Sequence, residues 1–93
     1  MSDARLSESY PQGEPREVRL KRMKMRSMRR GIKEMDIILM RFVESDLDRL
    51  SDAELDLYDA VLGQNDQDLY QWVSGQATPP AALASMIDRI AGR

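Results

Sequence analysis

The densest polar unit in the sequence is Arg29-Arg30-Gly31-Ile32-Lys33-Glu34-Met35-Asp36. Its residue types can do binding chemistry. Guanidinium groups form paired hydrogen bonds with carboxylates and phosphates. A glycine lets another backbone or side chain come close. Carboxylates placed one turn further on can orient those cations or take a cation from elsewhere. Arg29, Arg30, Gly31, Glu34 and Asp36 are therefore candidate partner-binding residues, held on rigid helix ends. A plainer account uses the same residues as a capped helix corner with an Arg30–Glu34 surface pair worth under about 1 kcal/mol. Two further carboxylate pairs, Asp46/Asp48 and Asp66/Asp68, have no third or fourth oxygen ligand in an EF-hand pattern. Aspartate favours helix starts, so capping and solvation are the preferred reading for both.

The chain has 93 residues, enough for one small domain, and contains no His and no Cys. That excludes Ser-His-Asp and Cys-His nucleophiles, Cys/His zinc sites, dithiol redox chemistry and disulfides. No catalytic, cofactor-binding or metal-ligating constellation stands out, and the chain does not read as an enzyme. The formal charge of −2 conceals a division. Residues 16–33 hold nine Lys or Arg against the single acid Glu17, and residues 34–93 hold four basic residues against twelve acids. The basic stretch has no aromatic residue for base stacking, and its neighbours are Met and Leu. A surface that faces a protein, or this chain's own acidic body, is favoured over one that faces nucleic acid. No fully apolar run exceeds the four residues of Ile37–Met40, far too short to span a membrane. Residues 1–10 lack the apolar centre of a signal peptide, so a cytoplasmic location is expected.

These residues must be positioned by helices. Residues 1–15, rich in Ser, Pro and Gly, are expected to be a disordered tail, and 16–93 a single helical domain. A basic helix is expected from Arg16 to Arg30, with Gly31 as its C-terminal cap. Ile32, Met35, Ile38, Leu39, Phe42 and Val43 mark one face of a second helix. Ser51-x-x-Glu54 is a capping box, with Leu50 and Leu55 as its hydrophobic staple. Leu55, Tyr58, Val61 and Leu62 form the buried face of that third helix, which Gly63 ends. Asn65 or Asp66 starts a fourth helix carrying Leu69, Tyr70, Trp72 and Val73, with Trp72 expected in the core. Thr78 as N-cap and Pro79 at the first position predict a fifth helix with Leu83, Met86, Ile87 and Ile90 inside and Gly92 at its end. No stretch alternates as a strand would. The expected fold is all-α, a compact five-helix bundle with short turns.

The unit Arg30-Gly31-x-x-Glu34 resembles the RGxxE signature of the succinate dehydrogenase assembly factors, also called FAD assembly factors. The resemblance continues through Arg29, Met35-Asp36, Leu50-Ser51-x-x-Glu54 and Asp66-x-Asp68-Leu69-x-x-Trp72, covering about residues 19–91 in order and spacing. Gln67 stands where some members have Pro. The resemblance implies a five-helix factor that binds the flavoprotein subunit of succinate dehydrogenase, and in some bacteria of fumarate reductase, and promotes covalent attachment of FAD. It implies that Arg30, Gly31 and Glu34 are the functional motif positions and that FAD belongs to the partner rather than to this chain. A monomer without nucleic acid or membrane insertion is expected. Two alternatives remain open: a nucleic-acid- or ribosome-associated protein using Arg16–Lys33, and an antitoxin-like regulatory binder.

Overall fold

The computed structural model describes residues 14–93; of the expected tail, residues 1–13 lie outside the described residues. Glu14 is already tied to the domain, since its carboxylate accepts from Arg22 Nε at 3.0 Å and Nη2 at 2.9 Å. Five α-helices follow: α1 Arg16–Arg26, α2 Lys33–Asp46, α3 Asp52–Leu62, α4 Asp66–Val73 and α5 Ala84–Ala91. Two single 3-10 turns, Leu47–Arg49 and Ala81–Leu83, lead into α3 and α5. Among the described residues there is no strand.

The apolar stripes expected from the sequence meet in one core. Met35, Leu39, Phe42 and Val43 of α2 pack with Leu55, Tyr58, Val61 and Leu62 of α3, Leu69 and Val73 of α4, and Met86, Ile87 and Ile90 of α5. Phe42 and Tyr58 place their rings 5.2 Å apart in a tilted pair. The capping box at α3 is complete: Glu54 N–H donates to Ser51 Oγ at 3.1 Å, and Ser51 N–H donates to Glu54 Oε1 at 2.8 Å. Leu50 and Leu55 on either side of it are both buried. Asn65 caps α4 by accepting from Gln67 N–H at 2.8 Å. Gly92 closes α5 in the left-handed conformation, φ +80°, with Arg93 N–H reaching back to Asp88 O at 2.8 Å. Trp72 is half-buried against the core rather than within it.

Two helix boundaries differ from expectation. The first helix stops at Arg26, five residues before Gly31. Buried Ser27 causes this: its hydroxyl donates to Met23 O at 2.8 Å and contacts the Tyr58 hydroxyl at 2.6 Å, fixing the chain to the core at that point. Such a back-bond competes with helix continuation, and the turn tightens through Ser27 N–H to Lys24 O and Met28 N–H to Met25 O. The residue in left-handed conformation is then Arg29, φ 56°, not Gly31. At the fifth helix, Thr78 and Pro79 do not start α5, which begins at Ala84 after the 3-10 turn. Pro80 is the reason: a proline disfavours helical geometry in the residue before it, which here is Pro79. Pro80 itself is extended, φ −55° and ψ 143°, and opens the 3-10 turn.

Helix α1 has only one fully buried residue within it, Met23, so apolar burial alone does not hold it. Its arginines do. Arg16 pairs with Asp52 at 3.2 Å and donates to Leu50 O at 2.6 Å, and Arg19 and Arg26 pair with Asp56 and Asp59. The basic helix lies on the acidic face of α3, the self-complementary arrangement raised by the charge division. Each such exposed pair contributes about 0.2–1 kcal/mol.

Candidate functional site

The link between α1 and α2, residues 27–32, and the first turn of α2 bring the motif into one corner, and the start of α4 completes it. Arg30 is largely enclosed: its side chain is 13% exposed and that of its partner Asp66 17%. Arg30 Nε donates to Asp66 Oδ1 at 2.8 Å and Nη2 lies 2.7 Å from the same oxygen. The remaining donors reach backbone carbonyls, Nη1 to Arg26 O at 2.9 Å and Nη2 to Leu62 O at 3.1 Å and Gln64 O at 3.4 Å. One guanidinium thus ties the end of α1, the end of α3 and the start of α4. The expected Arg30–Glu34 surface pair does not form, because these partners already occupy the Arg30 fork.

Gly31 donates its N–H to Asp66 Oδ2, so the Asp66 carboxylate bridges two consecutive motif residues. A Cβ at position 31 would stand 3.1 Å from that oxygen. What distinguishes the glycine here is this close approach, not a left-handed φ. Asp36 supports the corner from the other side, accepting from Arg30 N–H at 2.9 Å. Arg30, Gly31, Asp36 and Asp66 therefore form one connected unit. Arg29, Lys33 and Glu34 stand outside it, exposed. Among the described residues neither Arg29 nor Glu34 makes an ion pair. The motif thus divides into an internal latch and an outward set of charges.

The sequence pattern predicts Asp66 to be a helix-start carboxylate. That placement is right, since it is the first residue of α4. Its tie to Arg30, 36 residues earlier, left no local pattern. Asp46 of the other carboxylate pair accepts from Ser45 Oγ at 2.6 Å and Arg89 Nε at 3.2 Å, and Asp48 is exposed. The hydrogen bond from Ser45, joined by those from Arg89, holds the Asp46 carboxyl below its usual value. Burial pushes the Tyr58 phenol up to about 12. Among the described residues no group of three or more carboxylates is arranged to hold a metal ion, and no helix is long and apolar enough to cross a membrane.

Residues 21–93 match the family described as the flavinator of succinate dehydrogenase. The chain belongs to this family. Over 62 residues it is 45% identical to the succinate dehydrogenase assembly factor 2, mitochondrial, of Meyerozyma guilliermondii, covering 67% of this chain and 46% of that protein. It is 36% identical over 62 residues to the FAD assembly factor SdhE of Legionella pneumophila strain Lens, and 40% over 63 residues to that of Vibrio cholerae. These matches take in 67% of this chain each, with 78% and 73% of the respective relatives. The chain therefore spans about half the length of the yeast relative and about three quarters of the bacterial ones. Within the corner, Arg30 and Gly31 are tied to Asp66, and Glu34 stands exposed outside it.

Proposed function

We propose that this chain is a non-catalytic assembly factor. It binds the flavoprotein subunit of succinate dehydrogenase, or of fumarate reductase, and promotes covalent attachment of FAD there. FAD belongs to the partner, and the chain acts as a monomer in the cytoplasm. The observation that carries this reading is the family match over residues 21–93, which includes the whole corner. With no His or Cys in the chain, the reading needs only positioning. Covalent flavin attachment requires an ordered isoalloxazine beside its acceptor and stabilisation of developing negative charge. A factor that binds best to the competent arrangement of the flavoprotein raises the population of that arrangement. The Arg30–Asp66 latch keeps the corner rigid, so little ordering is left to occur on binding. Arg29 and Glu34 then present charge of both signs to the partner from fixed positions, while Arg30 acts from within.

The test is a flavinylation assay on the purified apo flavoprotein subunit with FAD, scored by protein-bound flavin fluorescence after denaturation. The expected result is acceleration by wild type, little by Gly31→Arg, which forces a side chain against Asp66, and reduced acceleration by Glu34→Ala with unchanged melting. No acceleration by wild type overturns the function. Equal acceleration by all three proteins overturns the motif's role.

A further inference from the structure

The two long faces of α1 divide its cations in a way the motif does not explain. At 100° per residue, Arg16, Arg19, Met23 and Arg26 share the inward side with Ser27. There Arg16, Arg19 and Arg26 meet Asp52, Asp56 and Asp59. The opposite side carries Val18, Lys21, Lys24 and Met25, and Met28 and Arg29 follow in the link after the helix. Among the described residues Lys21, Lys24 and Arg29 have no carboxylate partner, and Glu17 is the one acid on this side. The large apolar side chains left exposed are Val18 at 48%, Met25 at 65%, Met28 at 41% and Ile37 at 57%. Three of the four lie on α1 or just after it, with Val18 and Met25 about 10 Å apart by the helical rise. The fourth, Ile37 of α2, lines a groove of about 330 Å³ together with Met28, Met40, Arg29 and Asp36.

An apolar groove beside exposed Val18 and Met25, with unneutralised cations among them, is unlike an ordinary solvated helix face. Methionine supplies adaptable contact area, and the lysines repel a basic partner while attracting an acidic one. Met28 and Arg29, which line the groove, also immediately precede Arg30 of the RGxxE corner in the chain. We propose that Val18, Met25, Met28 and Ile37, with Lys21, Lys24 and Arg29, form a docking surface. Its occupant is a surface segment of the flavoprotein that carries apolar side chains beside carboxylates. This inference rests on the proposed function and assigns the chemistry of its partner surface, extending contact along α1 well beyond the motif.

The test measures binding of the full chain to the purified apo flavoprotein subunit by fluorescence anisotropy, at low and high salt. Two variants are compared with wild type: Val18→Ser/Met25→Ser/Ile37→Ser and Lys21→Glu/Lys24→Glu. All five positions are exposed, and circular dichroism melts establish that both variants fold. The serine variant is expected to bind at least about 10-fold more weakly at either salt concentration. The glutamate variant is expected to lose at least about 10-fold at low salt and to approach wild type at high salt. Wild-type binding matched by both variants overturns the docking surface and leaves the proposed function intact. A wild type that neither binds nor accelerates flavinylation overturns the proposed function itself. A dimer by sedimentation that the serine variant dissociates, with flavoprotein binding unchanged, reassigns the face to a second copy. Retention on duplex DNA or RNA that the glutamate variant loses, with flavoprotein binding unchanged, reassigns it to nucleic acid. Either reassignment overturns the proposal.

Discussion

Replacing Asp66 by Ala removes the acceptor shared by the Arg30 guanidinium and the Gly31 amide. Neither partner side chain is more than a fifth exposed, at 13% and 17%, so solvent screens the pair far less than the α1–α3 pairs. A hydrogen bond to a charged group contributes about 1.5–3 kcal/mol, and removing one member of a fully buried ion pair costs about 3–5 kcal/mol. Here Arg30 keeps carbonyl acceptors at Arg26, Leu62 and Gln64. Its charge is not left bare, and the lower end applies: about 2–3 kcal/mol for Asp66→Ala. For a domain of this size each kcal/mol moves the melting midpoint by about 4–8 °C, giving a fall of roughly 10–20 °C. Asp66→Asn keeps an oxygen for the Gly31 amide but loses the charge, and about half that fall is expected. Thermal unfolding at 222 nm reads both. A double-mutant cycle with Arg30→Ala isolates the pair, with an expected coupling of about 1–3 kcal/mol. A melting point for Asp66→Ala within ~2 °C of wild type, or a coupling near zero, would refute the account of the corner.

Glu14, Asp46 and Glu54 are each held below their ordinary values by hydrogen bonds, chiefly from Arg22, Ser45 and the Ser51 amide respectively. A carboxyl depressed in the folded state adds stability above its unfolded value and loses it as pH falls through the folded one. Stability is therefore expected to be level at neutral pH and to decline once pH drops below the ordinary values of 4.5 and 3.8, as urea midpoints measured between pH 7 and 2.5 will show. Tyr58→Phe removes the buried contact to Ser27 and should cost about 1 kcal/mol; in the wild type, absorbance at 295 nm should register Tyr58 ionisation only near pH 12. Gly92→Ala places a side chain at φ +80° and should cost about 1 kcal/mol, whereas Gly63→Ala, at φ −79°, should change the melting point little. Replacing Asp52, Asp56 and Asp59 together by Asn should cost no more than about 1–3 kcal/mol and should raise trypsin cleavage within α1 ahead of the rest of the chain, since exposed pairs are individually weak.

The capping box at Ser51 and Glu54, the Asn65 cap, the Gly92 stop and the four apolar stripes of α2 to α5 were all present in local spacing. Helix periodicity and capping depend on residues three or four positions apart, and those distances are visible in a linear string. The resemblance carried by Arg30-Gly31-x-x-Glu34 likewise lay in the sequence and located the corner. Tertiary structure decided what the corner's residues do. Ser27 ended the first helix because a tyrosine 31 residues later fixed its hydroxyl. Arg30 turned inward because Asp66, 36 residues away, bridges it to Gly31. Arg16, Arg19 and Arg26 were sorted from the lysines of α1 by where the acidic face of α3 came to rest. Local spacing chose the helices; contacts between residues some thirty positions apart, made only once the helices pack, chose which charges the fold consumes and which it leaves for a partner.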